Sequence, residues 1–355
     1  MAPGTKQSIL REILARIDSG DFKYEKREKK SINWSLYDQA QISEVNEMLI
    51  YFANIVDEAV DVLDLEERHQ KELLKPGKPS IFAGDLAKSI LIQQYFHTPN
   101  RVTEGLVELF KEKIRIRSSF SYKSIERAYE NRFVQEILSW IFFATQQPFT
   151  ELETRFSTDG TGIGVSIKYN YEYEKYGNTG SEKKMDQFEQ AIITIGSTYQ
   201  IITDFIITDN PHAGESPYLR QSVENVSCIY QNIELWSADA GFNSRDNANA
   251  IASVGGKARI YPKKNDSFLA KGSQEWKNNH NDFIDDPQSW LRDYHERSLS
   301  ESVNSAFLRM YPRPLARKLR NRRWVEAYTR ACGYNVKRII YLKYLNCIQF
   351  EWNEG

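Results

Sequence analysis

The amino-acid sequence predicts a helical N-terminal region over residues 1–150, an α/β core over 151–312, and a basic helical tail over 313–355. The core is a mixed sheet read in the order β-β-β-α-β-α-β-α. Three observations carry this division. Apolar residues recur at helical spacing before residue 150. Short β-rich runs alternate with helical ones after it. Charge is also uneven: the 355-residue chain has net charge −1, yet residues 302–355 hold eleven Lys/Arg against three Asp/Glu.

The elements follow in order. Ile9, Leu10, Ile13, Leu14 and Ile17 form the stripe of a first helix. The charged run 23–30 reads as a linker. Ser43 stands where it can cap a long helix carrying Val45, Met48, Leu49, Phe52, Val56, Val60 and Leu63, and Lys75-Pro-Gly-Lys-Pro79 ends it. Asp85 opens another helix that stops before Thr98-Pro99. Helices over 102–114 and 121–145 have the layout of a helix-turn-helix, residues 102–145. Lys111, Lys113, Arg115, Arg117, Lys123, Arg127 and Arg132 make that pair basic; the alternative is an ordinary helical pair with a wet face. Strands follow at 152–158, then at 190–196 and 199–208 as a hairpin about Ser197-Thr198. A helix at 216–226, a strand at 233–238, a helix at 244–254 and a strand at 258–261 come next. A polar stretch, 263–288, precedes a last helix over 294–310.

Composition bounds the function. At 41% hydrophobic and 27% charged residues the chain lies in the globular range. Its strongest apolar run, 137–144, is far short of the roughly 18 residues a membrane helix needs. The N-terminus shows no apolar signal core, and Cys228, Cys332 and Cys347 are odd in number with no C-x-x-C. A reducing, cytoplasmic, nucleoid-associated setting and no membrane partner are therefore expected. No G-x4-G-K-[ST] loop is present, so no nucleotide cofactor is expected. Arg309, Arg313, Arg317, Lys318, Arg320, Arg322 and Arg323 fall in a stretch without an acid and read as a surface for a polyanion such as double-stranded DNA; the bland alternative is a solvated helix face. Lys263 and Lys264 lead the polar stretch and read equally as DNA-channel residues or as solvated loop lysines.

Three carboxylates stand where such a sheet gathers them. Asp159 lies at the first strand, in Ser157-Thr-Asp-Gly-Thr161; Asp239 follows the fourth, in Ser237-Ala-Asp-Ala-Gly-Phe242; Glu301 lies on the last helix. Each alone reads more simply as a turn, a loop or a solvated helix residue. Together they repel one another unless cations neutralise them. Hard oxygen ligands suit Mg²⁺, with Mn²⁺ as an alternative, and two such ions can serve both sides of a phosphodiester in an in-line displacement.

With these motifs the sequence resembles the DDE transposases of prokaryotic insertion sequences, specifically the group with the signature Y-x2-R-x3-E-x6-K. Tyr294, Arg297 and Glu301 match its spacing, Asp159-Gly-Thr161 its D-G-T element, and Asp239-Ala-Gly-Phe242 its D-x-G-[YF] element. The strand-end Pro262-Lys-Lys-Asn265 is also similar. The likeness covers about residues 150–312 and implies a ribonuclease-H-like fold for the α/β core. It implies Asp159, Asp239 and Glu301 as catalytic ligands of two Mg²⁺ ions, with Tyr294 and Arg297 on DNA phosphate. The implied reaction is cleavage of transposon inverted-repeat ends and 3′-OH strand transfer into target DNA, by a homodimer on DNA. One departure stands out: the signature lysine falls at Leu308, with Arg309 beside it. Two alternatives stay open, a catalytically silent DNA-binding relic and a structure-specific nuclease on the same fold.

Overall fold

The computed structural model describes residues 3–24, 32–76, 80–166, 188–210, 212 and 214–345. Most of the expected 23–30 linker, Gly77–Pro79 of the expected break, and Cys347 lie outside the described residues. Thirteen described helices run in the order α1 (Pro3–Asp18), α2 (Trp34–Val62), α3 (Leu65–Leu73), α4 (Ala83–Tyr95), α5 (Asn100–Leu109), α6 (Tyr122–Ala128), α7 (Arg132–Ala144), α8 (Ser216–Ser227), α9 (Arg245–Ser253), α10 (Gln274–Asp285), α11 (Pro287–Tyr294), α12 (Arg297–Met310) and α13 (Arg320–Tyr344). The strands are β1 (Arg155–Gly164), β2 (Phe188–Gly196), β3 (Ile202–Ile207), β4 (Leu235–Ala238) and β5 (Lys257–Ile260). No described helix is long and apolar enough to cross a membrane.

The chain divides into two compact units that interleave along the sequence. The first takes its described residues from Met1–Ser31, Phe149–Gly162 and Gln190–Ala306; the second from Ile32–Pro148, Ile163–Glu189 and Phe307–Gly355. The units therefore do not follow the consecutive segments 1–150, 151–312 and 313–355.

Its five strands form one mixed sheet in the order β3-β2-β1-β4-β5. β2 and β3 are antiparallel, whereas β1 with β4 and β4 with β5 are parallel. The β2–β3 turn is held from beneath by buried Glu153, which accepts from the backbone N–H groups of Thr198 (2.8 Å) and Tyr199 (3.1 Å). In β1, the Thr158 hydroxyl accepts from Trp236 Nε1 (2.9 Å) and pairs with Thr194 (2.7 Å), tying β2, β1 and β4 together inside the sheet. The stripe on α1 reaches this unit's core: Leu10, Ile13 and Leu14 pack with Phe268, Phe283, Trp290 and Leu291.

Three helical readings needed revision in this unit. The polar stretch 263–288 contains α10, capped by Ser273 on Trp276 N–H. Its inward face carries Asn279 and His280 between Trp276 and Phe283, so its composition reads as loop although those polar groups are buried and bonded. The expected helix 294–310 is two helices, α11 and α12, meeting at His295 and Glu296. Arg155 fixes that junction through Asp293 (3.2 Å) and Glu296 (2.7 Å).

In the second unit α2 starts at Trp34 under an Asn33 cap rather than at Ser43. The expected helix 121–145 breaks at Tyr129–Asn131 into α6 and α7. Asn131 caps α7, while the Tyr129 hydroxyl is drawn inside to Gln93 and Gln94. The expected tail holds a 25-residue helix, α13, whose residues 329–336 are all buried. Glu326 and Arg330 pair within it (2.9 Å), and Glu326 also accepts from the backbone of Ala316 and Arg317.

Candidate active site

The parallel register of β1 and β4 builds the site. Thr158 is paired with Ala238. Asp159 and Asp239 are each the next residue, so two carboxylates leave neighbouring strands at one level. β1 continues past Asp159, whereas Asp239 turns the chain into a short 3-10 helix, Ala240–Phe242. Its Oδ1 accepts the Gly241 N–H at 2.7 Å, and a β-carbon at 241 would lie 2.9 Å from that oxygen. Buried Phe242 anchors the turn. These contacts account for D-x-G-F locally.

Arg297 and Glu301 sit one turn apart on α12. The Arg297 guanidinium donates to Glu301 and stands 3.5 Å from Asp159 Oδ1. It thus spans a sheet carboxylate and a helix carboxylate. The other Asp159 oxygen accepts from Asn304 Nδ2 at 3.1 Å. Burial raises the Asp159 carboxyl to about 6; Arg297 opposes this, and the Asp239 and Glu301 charges add to it. All three motif carboxylates therefore lie within one another's field. Glu301 is the open member, with 54% of its side chain exposed. Among the described residues, no three His, Cys, Asp or Glu side chains stand close enough to hold one metal ion between them. The three surround a position spanned in part by the Arg297 cation.

Tyr294 ends α11 and does not share one continuous helix with Glu301, contrary to the expected helix 294–310. Its ring stacks on Trp290 (5.0 Å) and lies 5.9 Å from the Arg297 guanidinium carbon. Burial raises the Tyr294 hydroxyl, with Arg297 opposing, so it is a neutral hydrogen-bonding group. Trp290 is 1% exposed and donates to Asn279, which makes it a core residue and not a base-stacking one.

Two side chains escaped the sequence reading. Glu215 was expected to act as a first-turn residue favoured by the α8 dipole. It stands at the N-cap position but makes no side-chain cap bond; Gln190 Nε2 donates to its carboxylate at 2.7 Å. That carboxylate lies over the Gly160 α-carbon, where a β-carbon would stand 2.6 Å from Oε2 and closer still to Oε1. Burial raises the Glu215 carboxyl, Gln190 opposes, and the Asp239 charge adds to the rise. Asn304 is 6% exposed, and its Oδ1 has no hydrogen-bond partner. The available signals were the glycine after Asp159 and an amide one helical turn beyond Glu301.

The basic residues divide into engaged and open groups. Lys263 and Lys264 are both exposed, and Lys264 pairs with Asp18 (3.0 Å). In the second unit Arg317 is 10% exposed, lies over the Tyr129 ring and donates to Gln93 and Asn100. Arg320 and Arg323 pair with Glu189, and Arg322 with Glu126 and Glu130. Exposed Arg313 donates to the His97 carbonyl (2.6 Å), while Lys318 and Arg309 are also exposed. Much of the basic run is thus internal counter-charge, not free polyanion surface. Arg115 and Arg117 are likewise paired, with Asp57 and Glu66, while Lys123 and Arg127 face solvent.

No family model matches the chain. It is similar to a protein of Archaeoglobus fulgidus named as the probable transposase for insertion sequence element ISA1214. The two are 23% identical over 333 residues, 92% of this chain and 95% of that protein.

Proposed function

We propose that the chain is a DDE transposase that cleaves the inverted-repeat ends of its element and transfers the freed 3′-OH to target DNA. The observation that carries this reading is the convergence of Asp159, Asp239 and Glu301 on one site around Arg297. The strand order β3-β2-β1-β4-β5, with β1 and β4 parallel at its centre, supports a ribonuclease-H-like core. The name of the archaeal relative supports the same class of reaction.

The donor set fits a hard divalent cation such as Mg²⁺ or Mn²⁺. It consists of oxygen donors, holds a buried amide oxygen without a partner, and already draws in one cationic group. Asp159, Asp239 and Glu301 would hold two such ions. When bound, these ions supply charge neutralisation at the attacking and leaving oxygens of a displacement at phosphorus. The chain's own residues do the remaining work. Arg297, flanked by Tyr294, presents a planar fork suited to a DNA phosphate. The Arg155 bridge to Asp293 and Glu296 keeps both residues in place. Lys263 offers an open charge for the duplex backbone. Joining two element ends calls for a homodimer on DNA.

The test is incubation of the protein with its own terminal repeats in Mg²⁺. The wild type nicks at the repeat boundary, and Asp159→Ala, Asp239→Ala and Glu301→Ala each abolish nicking while retaining DNA binding. Wild-type nicking rates in any of the three reject the assignment. One observation favours a silent DNA-binding relic: apolar Leu308 occupies the signature-lysine position. Specific end binding without nicking, in Mg²⁺ and Mn²⁺ alike, is the outcome that reading requires.

A further inference from the structure

We propose that Glu215 is a fourth carboxylate of the cation site, binding on the side of Asp159 and Asp239. The proposal rests on the divalent-cation reading above and adds a ligand outside the three motifs.

Its first support is position. Glu215 belongs to α8, an element that contributes none of the motif residues, yet its carboxylate lies against the residue that follows Asp159. A side chain at 160 would overlap it, so the glycine of D-G-T leaves room for this group. The second support is its choice of partner. At a helix N-cap a carboxylate ordinarily takes backbone N–H groups. Glu215 forgoes them and takes one neutral donor, Gln190. It makes no ion pair among the described residues.

Charge gives the third support. Arg297 contacts Asp159 and Glu301. With Glu215 added, four carboxylates surround one guanidinium. Such a surplus is stable only with further positive charge.

Independent of the carboxylates is Asn304. Its side chain is nine-tenths buried, its Nδ2 holds Asp159, and its Oδ1 has no partner. An unpaired amide oxygen in such a place is a costly feature unless something binds it. It is also a hard donor that divalent cations accept. The orphaned oxygen and the extra carboxylate flank Asp159 from two different helices.

Mn²⁺ titration of the full chain without DNA, followed by calorimetry, tests this. The wild type binds Mn²⁺, and Asp159→Asn weakens it. Glu215→Gln keeps the cation-free thermal midpoint, because the amide still reaches Gln190, yet binds Mn²⁺ at least about tenfold more weakly. Gly160→Ala displaces the carboxylate and weakens binding similarly. Gly160→Ala/Glu215→Ala regains the midpoint without regaining affinity, which covers the case in which Glu215→Gln folds poorly. Wild-type affinity and stoichiometry in Glu215→Gln or in Gly160→Ala, while Asp159→Asn is impaired, overturn the Glu215 role and leave the three-carboxylate reading standing. No Mn²⁺ binding by the wild type overturns both. Normal Glu215-dependent binding with no cleavage of any DNA end removes the transposase reading alone.

Discussion

Replacing Asp159 with Asn will stabilise the cation-free protein at pH 8, although the reaction proposed here needs that carboxylate. Burial, with the Asp239 and Glu301 charges, holds the Asp159 carboxyl near 6 against an ordinary value of 3.8; Arg297 offsets this only in part. A raised carboxyl means that the folded chain keeps a proton the unfolded chain has released. Stability therefore falls as pH rises from about 4 to about 6, and the whole penalty is present above that window. At about 1.4 kcal/mol per pH unit, the two-unit shift sets a ceiling of about 3 kcal/mol. Only 15% of the side chain is exposed, so solvent screening takes little from this. An asparagine oxygen can still accept from Asn304. Loss of the Arg297 contact is already contained in the net shift. A gain of about 1–3 kcal/mol follows, or a rise in thermal midpoint of several degrees. The assay is thermal unfolding of wild type and Asp159→Asn in EDTA from pH 4 to 8. The difference must be near zero at pH 4, grow through pH 6, and shrink at pH 8 when Mn²⁺ is added. A destabilised variant at pH 8, or a difference independent of pH, would refute the crowded, cation-poor site.

Asp204 on β3 is also held near 6 by burial, against donors from Ser222 and Asn225, so Asp204→Asn will gain stability over the same pH window; Mn²⁺ titration must show wild-type affinity, because this group lies outside the site. Glu326→Gln leaves buried Arg330 without its counter-charge and will lose about 3–5 kcal/mol in urea unfolding, where a loss under 1 kcal/mol contradicts the pairing. Leu308→Lys restores the signature lysine and will raise end cleavage by about tenfold, measured by strand nicking in Mg²⁺; an unchanged rate shows that this chain does not use that position.

What the sequence disclosed, and what it hid, follows from the range of the interactions. Motif aspartates at strand ends are local signals: a β-rich run, then Asp, then Gly. The parallel β1–β4 pairing then needs only the strand order to set Asp159 beside Asp239. α10 was hidden because its buried face is made of Asn279 and His280, whose hydrogen bonds to Ile260, Trp276 and Asp266 exist only after folding. The break between α11 and α12 was hidden for the same reason. Asp293 and Glu296 read as ordinary helix-surface acids until Arg155, far away in the chain, claims both. The basic run misled in the opposite direction. Its arginines count as a polyanion surface in one dimension, yet Glu126, Glu130 and Glu189 meet several of them in three.

Arg297 shows why the site is charge-linked and not merely assembled. A guanidinium set against both Asp159 and Glu301 partly neutralises them while no divalent cation is present. It also occupies directions in which those oxygens would face such a cation, in keeping with the absence of a close three-ligand group among the described residues. Cations entering this site would compete with Arg297 for the same oxygens and so release its fork toward an incoming phosphate. Metal and DNA binding would then favour one another through a single side chain, a coupling that is reciprocal by thermodynamic necessity. Glu215 enters that balance from the opposite side of Asp159. By adding negative charge that Arg297 does not contact, it tilts the competition toward the divalent ion.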